Sequence, residues 1–537
     1  MYFIILLVYW FVFKYYDPIG LENATKSASS QFFSAITEPF YGYGQGDRTQ
    51  SHVAVVEISD ETLKAEQETW PVSYHREAYW LRHIIEAHPA AVLVDIYFDG
   101  ERQGDSLHAF DSVLAEAKEL GIPIFFVRGM ATELAHDLPP VLAPYQVYSG
   151  WETEKSNMYP LLVSAPQDKG KKYPTPAFAM YSTLCEGAWK NACKAGEEFE
   201  EPLFVRWGVY TDPLQKIAFD GESGECRDSH AGGLARLFRA VNTGAHALSG
   251  KWEPPEDNRC FYALTLDAAR LDALSPLTKQ PYTDMLRNRA VFFGGDLQAI
   301  HDVTTAPAIG QVPAVQLHAM AFDNLITYGA GYFHEASRFG EFHIFGHAIE
   351  LDNAEALELG IWMLLSLVLV RASLSDTQQG AEHSGTPTHD ERKAAFPQQP
   401  ESAQPQTAPS PLSGLKKIRI KYLVAAALAV SGFLYDSFCR GYFSLTVLIF
   451  YVLLFLTMIC MPVEFETQTY TMKIRQTLCV CSLVYCVNEL FLHLPNADWI
   501  GLALLWFTVP EVNEENSFVK STDKFISEKF PCLKKQR

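Results

Sequence analysis

Through the first third of the chain, apolar and polar positions fall into short blocks of two kinds. Val53-Ala54-Val55-Val56-Glu57-Ile58 is a β-branched run closed by Ser59-Asp60, the pattern of a buried strand followed by a turn. Between Ser73 and His88 the residues Tyr79, Trp80, Ile84 and Ile85 recur at helical spacing, and Pro89 closes the segment. Ala91 to Ile96 is a second continuous apolar strand, Ser106 to Leu120 a helix stopped by Gly121, and Ile122 to Val127 a third strand. Far downstream, Arg289 to Phe293 runs as a strand into Gly294-Gly295-Asp296, and Gln316 to Tyr328 reads as a helix. Strands alternating with helices of this length predict an α/β domain whose parallel sheet is covered on both faces.

The pattern then changes. Leu423 to Phe438, Tyr442 to Val463 and Gln476 to Leu494 are nearly uncharged apolar runs, and Trp499 to Val509 is a shorter one returning from the turn Pro495-Asn496-Ala497-Asp498. A membrane span needs roughly 20 apolar residues. Gly360 to Val370 reaches that length only if extended back to about Leu351. Met1 to Phe13 reads as an uncleaved anchor, because no A-x-A site follows. From Asp376 to Gly414 the chain is rich in Pro, Gln, Ser and Thr, and it cannot bury enough apolar surface to offset its ordering entropy. The expected organisation is an N-terminal anchor over 1–16, an extracytoplasmic domain over 17–350 and a span over 351–371. A disordered cytoplasmic linker over 372–421, four spans over 422–511 and a basic cytoplasmic tail over 512–537 complete it. The fold expectation is thus an α/β parallel-sheet domain plus an all-α transmembrane region.

Charge supports this division. The formal net charge is −20, and residues 372–537 hold 15 acidic and 15 basic residues, so the whole deficit lies in the first 371. Such an acidic segment argues against a nucleic-acid surface. Lys416, Lys417, Arg419 and Lys421, then Lys473 and Arg475, then six basic residues of the tail all fall on one side of alternating spans, the cytoplasmic one. Lys14 falls on the outer side and counts against the scheme. Cys185, Cys193, Cys226 and Cys260 lie in the outer segment, where three pairings, or free buried thiols, are open.

Two separated sets of residues stand out. The first is Val53 to Asp60, Trp70-Pro71, the helix from Tyr74 and Val92-Leu93-Val94-Asp95-Ile96-Tyr97-Phe98. The second is Ala290 to Gly295, Asp302, Thr305-Ala306-Pro307, Val312-Pro313, His318-Ala319 and Asp323-Asn324-Leu325. Together they resemble the second class of CHASE (cyclase/histidine-kinase-associated sensory extracellular) domain. Ser59 departs from the pattern, which usually has an acidic residue there, and the stretch from about Ala131 to Gly250 matches weakly. The resemblance implies a receptor module outside a bacterial inner membrane, flanked by spans. Such modules usually precede a cyclase, kinase or phosphatase domain. Here only a basic tail follows the spans, which implies a separate cytoplasmic effector.

Asp60, Asp95 and Asp302 fall at or just past strand ends, where open parallel sheets bind ligands. Clustered carboxylates there can hold a cation or an amine, or can cap helices and brace loops. Trp70 and Thr305 join them as candidate ligand-binding residues, Trp70 with the alternative of a loop anchor. His318 is a ligand or a pH sensor, with a core or loop-bracing role as the alternative. Asn488 and Glu489 are polar within an expected span, so Glu489 needs a partner or water. Ser149 lacks the flanking glycines of a nucleophile elbow. No catalytic residue, metal site or cofactor is expected. The implied partners are the lipid bilayer, a small extracytoplasmic ligand, the separate effector and a second copy of the chain. A membrane sensor is the reading these features favour. A transporter or channel subunit with the outer domain as a lid is the alternative.

Overall fold

The computed structural model describes residues 21–42, 52–98, 100, 102, 104–129, 139–150, 158–164, 171–190, 193, 199, 201–219, 232–249, 261–297, 302–306, 309–334, 338–344, 347–352, 355, 359 and 363. Six parallel strands form its sheet: β1 (Val53–Ser59), β2 (Ala91–Asp95), β3 (Ile124–Gly129), β4 (Gln146–Ser149), β5 (Leu264–Asp267) and β6 (Ala290–Asp296). Their spatial order is β4-β3-β2-β6-β1-β5. The chain therefore builds outward from β2 to β4 and, much later, on the other side of β1 to β5. It then returns to insert β6 between β1 and β2.

The two-residue alternation of a strand divides each strand between two cores. Ala54, Val56 and Ile58 of β1, Val92 and Val94 of β2, and Val291 and Phe293 of β6 pack on one face with Trp80, Leu81, Ile84 and Ile85 of α3 (Tyr74–Glu86) and Val113 and Ala117 of α4 (Asp111–Leu120). Val53 and Val55, Ala91 and Leu93, and Ala290 and Phe292 face the other way. They meet α5 (Pro176–Glu186) and α7 (Ala314–Tyr328). Ser73 caps α3 by accepting from the Arg76 N–H, and Gly121 ends α4 in a left-handed conformation at φ 69°.

Three expected boundaries move. The chain does not simply turn after β1: Asp60–Glu66 is a helix, α2. Its cap Ser59 accepts from Thr62 N–H while the Thr62 hydroxyl receives the Ser59 N–H. The third strand begins at Ile124 because Ile122 and Pro123 serve as its lead-in, where Val92 N–H bonds the Pro123 carbonyl. At the far end, β9 (Arg338–Ile344) and β10 (His347–Asp352) form an antiparallel hairpin, so Leu351 and Asp352 belong to a strand. Asp352 and Glu355 then exchange backbone-to-carboxylate bonds of 2.7 and 3.2 Å, a reciprocal helix start.

Two further helices complete the domain. α1 (Leu21–Thr37) precedes the sheet, and α6 (Gly233–Ser249) lies antiparallel to it: Thr243 donates to the Ala35 carbonyl at 2.7 Å, while Arg236 reaches the Pro39 carbonyl at 2.8 Å. Cys185 and Cys193 are joined in a disulfide that closes the segment after α5. Cys226 and Cys260 lie outside the described residues, as do the expected anchor at 1–16, the linker and the spans over 422–511 with Asn488 and Glu489. Among the described residues no helix is long and apolar enough to cross a membrane.

Candidate functional site

The carboxyl end of β2 is where the polar chemistry collects. Asp95 is the last residue of that strand, and its parity sends it to the α7 face, in line with Ala91 and Leu93. Its neighbour in register is Gly294 of β6. A Cβ built on Gly294 would sit 3.2 Å from Asp95 Cβ and 3.0 Å from Val315 Cβ, so glycine there lets α7 lie close over the strand ends. α7 starts after a hairpin of β7 (Val303–Ala306) and β8 (Gly310–Pro313), and the Ala314 N–H bonds the Asp302 carbonyl at 3.0 Å. The helix thereby fixes Asp302 at its own entrance and carries His318 over Asp95.

His318 is buried and held through both ring nitrogens. Nδ1 lies 2.8 Å from the Tyr159 hydroxyl; Nε2 lies 3.2 Å from Ser149 Oγ and 3.7 Å from Asp95 Oδ2. Burial lowers the imidazole to about 4, with Asp302 pulling it back upward. Burial also raises Asp95 to about 7. With a neutral imidazole, the 3.7 Å approach is not an ion pair. Asp302 is raised to about 6, first by desolvation and then by Asp95. Asp302 and Tyr97 have surfaces open to water, which screens Asp302 more than Asp95. The Tyr97 phenol is pushed upward by burial and by both carboxylates, with Ser149 opposing.

Of the residues expected to form a site, Asp95, Asp302 and His318 come together, from positions more than 200 residues apart. Asp60 does not join them. It is exposed in the first turn of α2, two strands away from β2, roughly 10 Å across the sheet. The acceptor at that strand end is Asp267 of β5, which takes the Ser59 hydroxyl at 2.6 Å and the Thr62 hydroxyl at 2.7 Å. Trp70 precedes a cis peptide to Pro71 and packs against the core under α3 and α4, on the opposite face of the sheet from His318. Thr305 is exposed on β7, in register with Gln311.

Three members of the cluster were not anticipated. Tyr97 stands two residues beyond Asp95, a same-side spacing that alternation alone could have flagged. Ser149 ends β4, a strand too short to read in the weakly matching middle segment. Tyr159 belongs to a two-residue strand (Met158–Tyr159), and its hydroxyl also accepts the Ala177 N–H at 3.0 Å.

One and a half turns past His318, α7 carries Asp323 and Asn324, both buried. The Asn324 amide brackets the backbone of Arg206, accepting its N–H and donating to its carbonyl, each at 2.9 Å. It donates also to Tyr41 Oη at 3.0 Å, and Tyr41 donates to Asp323 Oδ2 at 2.6 Å. Burial raises Asp323 to about 7 despite that bond. Tyr41 follows α1 by a single short turn, Glu38–Phe40, so α7 grips the segment that leads out of the first helix.

Fold and cluster together define an α/β module of the open parallel-sheet class, with polar groups gathered at its strand ends. Residues 4–368 match the family model of the CHASE2 domain, and the chain belongs to that family. CHASE2 domains are extracellular sensory domains rather than catalytic ones, so the chain carries a sensory module. No curated protein and no solved structure matches the chain.

Proposed function

We propose that the protein is a multi-pass membrane sensor whose α/β domain, outside the cytoplasmic membrane, binds a small ligand at the Asp95–His318 cluster and relays the bound state through its helices to a separate effector. One observation carries the reading. The Asp95 side chain is largely covered, makes no hydrogen bond with a described residue, and lies beneath the helix that also grips the exit of α1. A ligand contacting Asp95, Ser149 or His318 would act on α7. Through Asp323 and Asn324, α7 acts on Tyr41 and so on α1, which the sequence joins to the N-terminal apolar run. Asn324 and Asp323 are then the relay, and the rim residues Tyr97 and Asp302 the entrance. The disulfide between Cys185 and Cys193 suits an oxidising compartment.

The test has two arms. Reporter fusions to the full chain after Glu201 should read outside the cytoplasm, and fusions after Ser402 and at Arg537 should read inside; a tail read outside would remove the proposed topology. Fractionated extracellular extracts should raise the thermal midpoint of the full-length protein in detergent. A ligand at about 100 times its dissociation constant adds about 2.7 kcal/mol. That increment should vanish in Asp95→Asn.

A further inference from the structure

We infer that the Asp95 cluster takes a small organic cation, a protonated primary amine being the form that fits it; this rests on reading the cluster as the sensing site. The Asp95 side chain keeps 6% of its surface exposed, and no hydrogen bond joins it to a described residue. A carboxyl that is nine-tenths covered, lacks a donor and still opens outward is a socket for N–H groups brought by something else. Ser149 Oγ, which shares His318 Nε2 with Asp95, and the Tyr97 hydroxyl, which feels the Asp95 and Asp302 charges, add acceptors nearby.

The neighbourhood chooses among ligand charges. Asp95 and His318 both act on Asp302, and Asp302 acts in turn on His318. An anion would meet like charge at Asp95 and Asp302. A neutral alcohol would satisfy hydrogen bonds and leave the carboxylates uncompensated. A metal ion wants several fixed ligands, and among the described residues no group of three or more His, Cys, Asp or Glu side chains is arranged to hold one. An ammonium group needs less: one largely covered carboxylate, two hydroxyl acceptors and a neutral imidazole, which are present.

Binding has a proton balance. In the ligand-free domain Asp95 titrates near 7. An ammonium entering beside it favours the carboxylate, so below that pH the Asp95 proton leaves to solvent as the amine enters. His318 opposes this little, because it stays unprotonated down to about 4. Amine affinity should weaken by about tenfold per pH unit below 7 and level off above about 8.

The probes are butylamine, 1-butanol, butyrate and calcium chloride, each titrated against the full-length protein in detergent, with thermal midpoint and calorimetry as readouts. Butylamine alone should bind at pH 8, weakly and saturably, with about tenfold loss at pH 6 and proton release seen as a buffer-dependent heat. Asp95→Asn should abolish it, and Ser149→Ala, a milder change, should weaken it severalfold while leaving the fold intact. If butanol, butyrate or calcium binds instead, and Asp95→Asn abolishes that binding, the site stands and the amine assignment is overturned. Butylamine binding that survives both substitutions, or has no pH dependence, would overturn the site itself. No binding by any probe overturns the amine assignment.

Discussion

The two faces of the central sheet are built from the same strands and differ in what they bury. Under α3 and α4, the side chains of β1, β2 and β6 meet Trp80, Leu81, Phe110 and Phe126 in a continuous apolar core. Under α7, the alternate residues of those strands begin as Val, Ala and Leu and end as Glu57 and Asp95. There Gln316 donates to Glu57 at 2.7 Å and to Thr265 at 3.0 Å, and His318 stands over Asp95. Each strand is thus apolar along its whole length on one side and becomes polar at its carboxyl end on the other. The first face supplies stability. The second gives up part of its own to keep titratable groups dry, as functional sites commonly do.

Three substitutions would break or sharpen this contrast. Phe293→Ala should cost the most, about 3–5 kcal/mol, because Phe293 is fully buried and stands edge-on to Trp80 in the apolar core. Denaturant unfolding of the full-length protein should show that loss, with any ligand response retained in the fraction still folded. A loss below about 1 kcal/mol would mean this face is not the stabilising one.

Asp95→Asn should have the opposite sign. The folded-state value of Asp95 lies above its ordinary 3.8, near 7. The folded state therefore carries an ionisation penalty that grows as pH rises from about 4 to 7 and is then constant. Asn removes it, so the variant should be more stable by on the order of 4 kcal/mol at pH 8, and the gap should close toward pH 4. Glu77, raised to about 8, and Asp323, raised to about 7, push the parent protein the same way, and His318 pushes against them below its ordinary 6.5. The thermal midpoint of the parent should accordingly fall between pH 6 and pH 8. A midpoint that rises over that interval would refute the buried-carboxyl account.

Ser59→Ala should be the smallest effect. It removes the cap of α2 and frees Asp267 from one of its two hydroxyl donors, at about 1 kcal/mol. It lies on β1, away from the Asp95 cluster, so ligand response should be unchanged. A lost response would tie the edge of the sheet to the site.

Much of this was legible from pattern alone. The β-branched runs at Val53 and Ala91 and the aromatic run at Val291 announced the strands, because a strand buried on both faces must be apolar at every position. The 3.6-residue recurrence through Tyr79, Trp80, Ile84 and Ile85 announced α3. Asp95, Asp302 and His318 could be nominated because strand ends and helix entrances are local features. The sequence could also nominate Asp60, and here the local rule misled. It says that a carboxylate lies at a strand end, and nothing about which strands are neighbours.

What the chain's own order could not decide was adjacency. β6 is inserted between β1 and β2 some 200 residues after both are made, and that single placement puts Gly294 beside Asp95 and lays α7 across it. The partners Ser149 and Tyr159 sit on strands of four and two residues, too short to leave a period. Asp323 and Asn324 show the same division. Their place on a helix follows from residue spacing, whereas their grip on Tyr41 and Arg206, 282 and 118 residues away, exists only once the sheet has closed. Alternation and helical recurrence are properties of consecutive residues and survive in any sequence window; hydrogen bonds between distant segments depend on strand order, which no window contains.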